Sequence, residues 1–372
     1  MHFFSIVLAV VASRSLEDSY IIKLKGQTRV PIQAHLSKVK SLFNERSNRN
    51  EIRQVYKSIG NMYNARFSRQ VLNQVERMHD VEYIRKDKLF SINAVQQNAT
   101  WGLNRISQFE GLSGPFKDFK YNYTLDGAGT TVYVLDTGIM VEHPEFEGRA
   151  RFGARFAGTN DKDEHGHGTH CAGTVGSRSY GVAKKASLVA VRVLDATGYG
   201  ATSEVIGGID WAVGDAKGSN GSVISMSLGG EKEDPINDAV EAAVASGVIV
   251  VVAAGNEDED ACMGSPSSSP SAITVGASDA WDMRADFSNY GKCVDVFAPG
   301  VDILSTWNNG KTKSISGTSM ATPHVAGLAA YFLSESFESP EAIVKKIIDH
   351  ASKDLLTDIG PNSPNLLINN KL

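Results

Sequence analysis

From about residue 131 onward, apolar residues alternate between two patterns: short β-branched runs and stretches with helical spacing. Thr131-Val132-Tyr133-Val134-Leu135-Asp136 and Val248–Ala253 are too continuous for strands with one wet face, so they read as strands buried on both sides. Leu188–Leu194, Val223–Leu228 and Ile273–Ala277 add further strands. Between them, Thr202-Ser203-Glu204 is expected to cap a helix through Val213. Asp234 is expected to cap another from Pro235 to Ala245, with the proline at the first helical position. Val325, Leu328, Ala329 and Phe332 mark an apolar helix starting near Ser319, with Pro323 expected harmlessly in its first turn. Ser339-Pro340-Glu341 opens a final helix. Strands alternating with helices predict an α/β fold, a doubly wound and mostly parallel sheet.

Upstream of residue 93 the pattern changes. Tyr20-Ile21-Ile22-Lys23-Leu24 reads as a strand, followed by a helix near Ile32 to Phe43. Ser68 is placed to cap a helix carrying Val71, Leu72, Val75 and Met78, and Val81-Glu82-Tyr83-Ile84 alternates as a strand. These elements make a small α+β unit. Before it, Phe3 to Ala12 is apolar and too short to span a bilayer. It reads as a secretory signal ending between Ala12 and Ser15, although no Lys or Arg precedes it. No later run approaches the roughly 18 apolar residues of a membrane helix.

Composition sharpens the division. The chain has 372 residues with 42% hydrophobic content, enough for more than one domain and a sizeable core. Residues 14–93 hold 16 basic and 8 acidic residues (net +8), which leaves 21 basic against 34 acidic (net −13) for residues 94–372. Opposite charge suits a segment that docks on the rest of its own chain. A nucleic-acid-binding module would also be basic, but neither an aromatic–basic RNA signature nor zinc spacing supports one.

Three segments carry chemistry. Asp136 ends a buried strand, where open parallel sheets place their sites. Asp163-Glu164-His165-Gly166-His167-Gly168-Thr169-His170-Cys171 sets His167 between two glycines that permit close backbone approach. Gly317-Thr318-Ser319-Met320-Ala321-Thr322-Pro323-His324 delivers a serine to a helix start, whose unpaired N–H groups suit a developing oxyanion. A serine nucleophile needs an imidazole to take its proton, and that imidazole needs a carboxylate to hold its tautomer. Asp136, His167 and Ser319 supply these groups in the chain order found in subtilisin.

These segments resemble the subtilisin-like serine proteases, and their neighbours resemble the proteinase K and cerevisin branch from about Asn98 to the C-terminus. The resemblance implies that Asp136 orients the base, His167 shuttles the proton and Ser319 attacks. It also implies that Asn256, at the end of Val248–Gly255, completes the oxyanion hole with the Ser319 N–H. The upstream unit is similar to the family's inhibitory propeptide, a folding aid whose tail lies in the cleft as a product-like strand. The implied organisation is a signal peptide over 1–15, a ferredoxin-like α+β propeptide over 16–93 and a peptidase domain over 94–372. Self-cleavage is expected between Asn93 and Ala94, leaving a secreted, monomeric enzyme.

In the family, the backbones matching Gly198-Tyr199-Gly200 and Ser227-Leu228-Gly229-Gly230 pair with an extended peptide or protein substrate. The second segment and Ala253-Ala254-Gly255 would wall the S1 pocket, whose small apolar surface implies tolerance for apolar or aromatic P1 residues. Cys262 and Cys293 match a family disulfide, the alternative being two unpaired thiols, and Cys171 matches a free buried thiol beside the base. No cofactor is implied for the chemistry. Pro270, Ala272 and Asp295 match a structural calcium site made of two carbonyls and a carboxylate. Asn98, Asn122 and Asn220 lie in N-glycosylation sequons.

Three rivals stand beside this expectation. A zinc hydrolase could draw on His165, His167, His170 and Cys171. A dibasic-processing enzyme could use the acidic run Glu257-Asp258-Glu259-Asp260, although such runs are usually solvated loops. A subtilase-fold binding protein would keep the architecture without the activity.

Overall fold

The computed structural model of the protein describes residues 18–26, 32–43, 50–56, 58, 61–87, 94–112, 118–219 and 221–371. The expected signal segment, Asn93 and Asn220 lie outside the described residues. The chain divides into two compact units, Met1–Ser91 and Ile92–Leu372.

In the first unit, an antiparallel sheet runs in the order Glu51–Tyr56, Met62–Arg66, Ser19–Leu24, Val81–Lys86. Helices Ile32–Ser41 and Arg69–Glu76 accompany it, and Ile22, Leu36, Val39, Tyr63, Phe67 and Val75 form its core. Ser68 caps the second helix, its Oγ accepting the Val71 N–H. Strands Glu51–Tyr56 and Met62–Arg66 escaped the sequence reading because EIRQVY and MYNAR carry polar residues at partly or fully buried positions. Asn64 is one of these. Its amide donates to Ser19 Oγ at 3.0 Å and Asp87 Oδ2 at 2.9 Å, so hydrogen bonds offset its burial.

The second unit is built on a nine-stranded sheet. Its centre runs through Val296–Pro299, Ile273–Ser278, Ile249–Ala253, Ser222–Met226, Thr131–Asp136 and Ser187–Arg192. These strands are all parallel. Leu366–Leu367 and Ser352–Lys353 close one edge, the last pair antiparallel, and Ala150–Arg155 closes the other. Side chains alternate across the sheet. Val132 and Val134 pack with helices His167–Gly176 and Thr318–Leu333, while Tyr133 and Leu135 pack with Thr202–Ala216 and Asp234–Ala245. Covering both faces requires near-continuous apolar strands, each buried Val or Leu contributing on the order of 1.5–3 kcal/mol. Ala150–Arg155 went unrecognised in the sequence because it is an edge strand, broken by an irregularity between Phe152 and Ala154 and carrying Arg at both ends of RFGAR. No helix among the described residues is long and apolar enough to cross a membrane.

Helix starts differ slightly from expectation. Ala201 takes the cap position and Thr202 the first helical one, with the Glu204 carboxylate accepting the Ala201 N–H at 2.6 Å. Likewise Glu233, not Asp234, precedes its helix. Ser339 does cap the helix Pro340–His350, accepting the Ala342 N–H at 3.4 Å. The larger correction concerns Pro323. The helix begins at Thr318, which puts the proline in its second turn, inside the hydrogen-bonded ladder. A missing N–H there leaves the Ser319 carbonyl without its helical partner.

Candidate active site

Asp136 ends its strand fully buried, and its Oδ1 accepts the Thr137 N–H at 2.7 Å. Both carboxylate oxygens face His167 Nδ1, at 2.8 and 2.9 Å. The ring is brought there because His167 is the first residue of a helix whose N-terminus abuts the strand end. Glycine makes that approach feasible. A Cβ on Gly168 would lie 2.1 Å from the Gly138 carbonyl, and Gly166 turns with φ 101° at the helix cap. Burial opposes a charged imidazole, but the Asp136 charge and hydrogen bond outweigh it and hold the His167 pKa well above the ordinary histidine value. In the neutral ring Nδ1 carries the proton given to Asp136 and Nε2 is the acceptor, with no hydrogen-bond partner among the described residues.

Ser319 is the second residue of its helix, and its N–H is unpaired among the described residues, as expected of a first-turn donor. The carbonyl released by Pro323 is recaptured by two donors, Ser227 Oγ at 2.9 Å and Cys171 Sγ at 3.4 Å. The Ser319 hydroxyl donates to the Ser227 carbonyl at 3.2 Å, so its proton can pass to an imidazole only after it leaves that carbonyl. Cys171 Sγ also lies 3.9 Å from His167 Nδ1, so this buried, unpaired cysteine connects the histidine and serine helices. Burial pushes its thiol pKa up, which makes it a poor nucleophile.

Asn256 follows the strand Ile249–Ala253. Its Oδ1 accepts Thr318 N–H at 2.8 Å and Thr318 Oγ1 at 3.0 Å. With the amide oxygen engaged, the Nδ2 hydrogens remain as donors beside the start of the serine helix.

A cleft of about 590 Å³ runs past His167. Gly198, Tyr199, Gly200 and Ser227–Gly230 line it, whereas Ala253, Ala254, Gly255, Asn256 and Ser319 are not among its lining residues. Ala253 and Ala254 are buried beneath the sheet end. Sequence reading missed His165, Val205, Ile236, Glu231 and Glu233 as lining residues. Val205 and Ile236 carry an ordinary helix-core signal, so nothing in their periodicity distinguishes a cleft from a core.

Two rival sites lose their geometry. His170 is buried with Nε2 directed at the Ile303 and Lys313 carbonyls, at 3.0 and 3.1 Å, and burial lowers its pKa to about 4. Among the described residues only Asp136, His167 and Cys171 gather as a metal-type group, and His165 and His170 stand outside it. The acidic run is engaged locally. Glu257 accepts from the Asn256 N–H and Asn289, Asp258 pairs with Arg284, and Asp260 caps the turn at Cys262. None of the four residues lines the cleft.

Cys262 and Cys293 form the disulfide, closing a loop of sequence separation 31. Asp295 accepts the Thr274 N–H at 2.8 Å and makes no ion pair among the described residues. Burial raises its pKa to about 6. A buried carboxylate is a hard oxygen donor of the kind calcium takes, and Pro270 and Ala272 lie just before the strand Ile273–Ser278, whose Thr274 contacts Asp295.

Comparison with known proteins bears on this arrangement. Residues 127–366 match the subtilase family, and residues 19–93 match the peptidase inhibitor I9 family. The chain is 44% identical over 360 residues to the alkaline serine protease ver112 of Corniculantispora psalliotae, covering 95% of this chain and 90% of that one. It is also 44% identical over 359 residues to proteinase R of Parengyodontium album, covering 95% and 89%. Among solved structures, a cold-adapted subtilisin-like serine proteinase matches with a TM-score of 0.70 and 46% identity, covering 73% of this chain and 98% of its own.

Proposed function

This chain belongs to the subtilase family and is a serine endopeptidase made with its own inhibitory propeptide, and we propose that Asp136, His167, Ser319 and Asn256 carry its chemistry. The observation that supports this most is the Asp136–His167 contact of 2.8 Å, which leaves Nε2 unpaired at a cleft. Ser319 Oγ releases the Ser227 carbonyl, gives its proton to Nε2 and bonds to the scissile carbonyl carbon. The resulting oxyanion is held by Asn256 Nδ2 and the Ser319 N–H. His167 then protonates the departing amine, and water, deprotonated by the same nitrogen, releases the acyl group. Asp136 stays ionised and stabilises the imidazolium throughout.

An extended substrate pairs with the edges at Gly198–Gly200 and Ser227–Gly230, so affinity depends little on side-chain sequence. Ser227, Leu228, Gly229 and Gly230 offer small and apolar surface along the cleft, which supports a broad preference for apolar or aromatic P1 residues. Maturation cuts between Asn93 and Ala94, the enzyme acting on its own chain before secretion as a monomer. Ser319→Ala tests both proposals. The variant should accumulate as an uncut precursor with casein hydrolysis abolished; trimming at Ala94 would point to another protease as the processing enzyme, and casein hydrolysis at the native rate would remove Ser319 from the mechanism.

Calcium held by Asp295, Pro270 and Ala272 would serve stability. A carboxylate whose pKa is raised to about 6 by burial binds its proton more tightly folded than unfolded. Without a cation, its burden on stability therefore grows as pH rises from about 4 through 6. Chelation should lower the melting temperature at pH 8 by roughly 5 °C or more and have little effect at pH 5. Equal melting curves with and without chelator at pH 8 would exclude the site.

A further inference from the structure

One buried carboxylate near the cleft takes no part in the chemistry described so far. Asp163, only 6% exposed, precedes the histidine helix and accepts hydrogen bonds on both oxygens. Oδ1 accepts Thr137 Oγ1 at 2.8 Å, the His165 N–H at 3.1 Å and the Gly166 N–H at 2.7 Å. Oδ2 accepts the Thr169 N–H at 2.9 Å and Thr169 Oγ1 at 2.6 Å. The two threonine hydroxyls, having given their protons to Asp163, each accept a backbone N–H from the opposite segment. Gly168 N–H binds Thr137 Oγ1 at 3.0 Å, and Met140 N–H binds Thr169 Oγ1 at 2.9 Å.

Two relays therefore cross between the segment after Asp136 and the first turn of the histidine helix, and both end on one carboxylate. Thr137 and Gly168 are the immediate neighbours of Asp136 and His167, so this crosslink sits one residue from the carboxylate–imidazole contact on each side. Packing is tight enough to transmit a displacement, since a Cβ at Gly168 would lie 3.0 Å from the Asp136 Cβ. We propose that Asp163 is a positioning residue of the peptidase, setting the separation and alignment of Asp136 and His167 through Thr137 and Thr169. It rests on the catalytic assignment proposed above.

Replacing Asp163 with Asn keeps the shape and removes the symmetry. An amide has one acceptor oxygen, so either the Thr169 N–H or the N–H groups of His165 and Gly166 would face an NH₂ group. The threonine hydroxyls would lose their fixed direction, and the strand end and helix start could separate. A displacement approaching 1 Å costs about a hundredfold in rate. A loosened Asp136 contact also supports the imidazolium less, so the base titrates at lower pH.

The test uses the full-length chain, matured and counted by a fluorophosphonate active-site titrant, with turnover of a soluble peptide measured across pH. In Asp163→Asn, kcat per titrated site should fall about 100-fold with KM within about twofold, and the acid limb of kcat/KM should move to lower pH. Thr137→Val, which removes one relay, should lose about tenfold with the same direction of shift, and Thr137→Ser should restore both. Turnover and acid limb like those of the parent enzyme in Asp163→Asn, even with a lower melting temperature, would overturn the proposal and leave Asp163 a structural cap. Should Asp163→Asn not fold, equal kinetics for Thr137→Val and Thr137→Ser would overturn it just as well. Ser319→Ala, run in parallel, separates the two levels. If it is inactive while the Asp163 and Thr137 variants are normal, positioning alone fails, whereas if it remains active the catalytic assignment fails first.

Discussion

Each unit of this protein holds a histidine clamped by an aspartate, and of the two it is His167 that lines a cleft. In the N-terminal unit, His35 is wholly buried, with Nδ1 2.8 Å from Asp80 Oδ2 and Nε2 2.9 Å from the Tyr63 hydroxyl. Both ring nitrogens are occupied, and the group ties helix Ile32–Ser41 to strand Met62–Arg66 and to the turn before Val81–Lys86. In the larger unit, His167 meets Asp136 at the same 2.8 Å, but its side chain is 20% exposed and Nε2 is unpaired among the described residues. A carboxylate–imidazole pair is thus equally suited to structure and to chemistry. What separates the uses is whether the second nitrogen has a permanent partner. Helix packing closes that position for His35, whereas the strand-end crevice leaves it open for His167.

Substitutions on the two sides should part company accordingly. Asp136→Asn should lower kcat of the mature enzyme by about 10⁴-fold with its fold retained, because the wrong tautomer presents a proton to the serine. It should also move the acid limb down. Asp136 raises the His167 pKa, so the parent enzyme loses activity as pH falls through a value above the ordinary histidine range. A parent acid limb at or below the ordinary histidine value would break the comparison at its stronger end.

The next effect is smaller. Asn256→Ala removes one oxyanion donor and should cost about 10²–10³ in kcat with little change in KM, read on a soluble peptide. Near-normal turnover would take Asn256 out of the mechanism and leave its contact with Thr318 purely structural.

On the structural side, Asp80→Asn should leave turnover of matured enzyme unchanged while costing the N-terminal unit roughly 3 kcal/mol, measured by urea unfolding of the Ser319→Ala precursor. Burial alone would raise the Asp80 pKa, but the hydrogen bond and charge of His35 outweigh it and lower the value. Its stabilisation is therefore in place above the ordinary carboxylate pKa near 4 and disappears as pH falls through the lower folded value. An Asp80 variant with impaired turnover after maturation would break the contrast between the two clamps.

Several features were legible from residue order because each rests on local chemistry. Ser68 and Ser339 were readable as caps, since a hydroxyl before an apolar periodic stretch answers an unpaired N–H wherever it occurs. The central strands were readable because burial on both faces demands uninterrupted β-branched residues. Strands Glu51–Tyr56 and Ala150–Arg155 were not, since edge strands and half-wet strands need no such run. Pro323 shows the same limit at the site. It was expected in the first turn of a helix starting near Ser319 but lies in the second, and the released Ser319 carbonyl finds its donors in Ser227 and Cys171, residues about 90 and 150 positions away.

Residue order by itself determined the reaction type, the three segments proposed to supply it, the division into a basic and an acidic piece and the alternation that makes a parallel sheet. Those depend on which groups are present and on spacing along one element. Tertiary structure alone decided that His170 turns its nitrogen to two carbonyls while His167 keeps one open, and that the Ser319 hydroxyl rests on Ser227. It also decided that Asp163 joins the strand end to the helix start. Each of these is set by the partner that packing brings within about 3 Å, and a hydrogen bond has no counterpart in the sequence until the chain has closed around it.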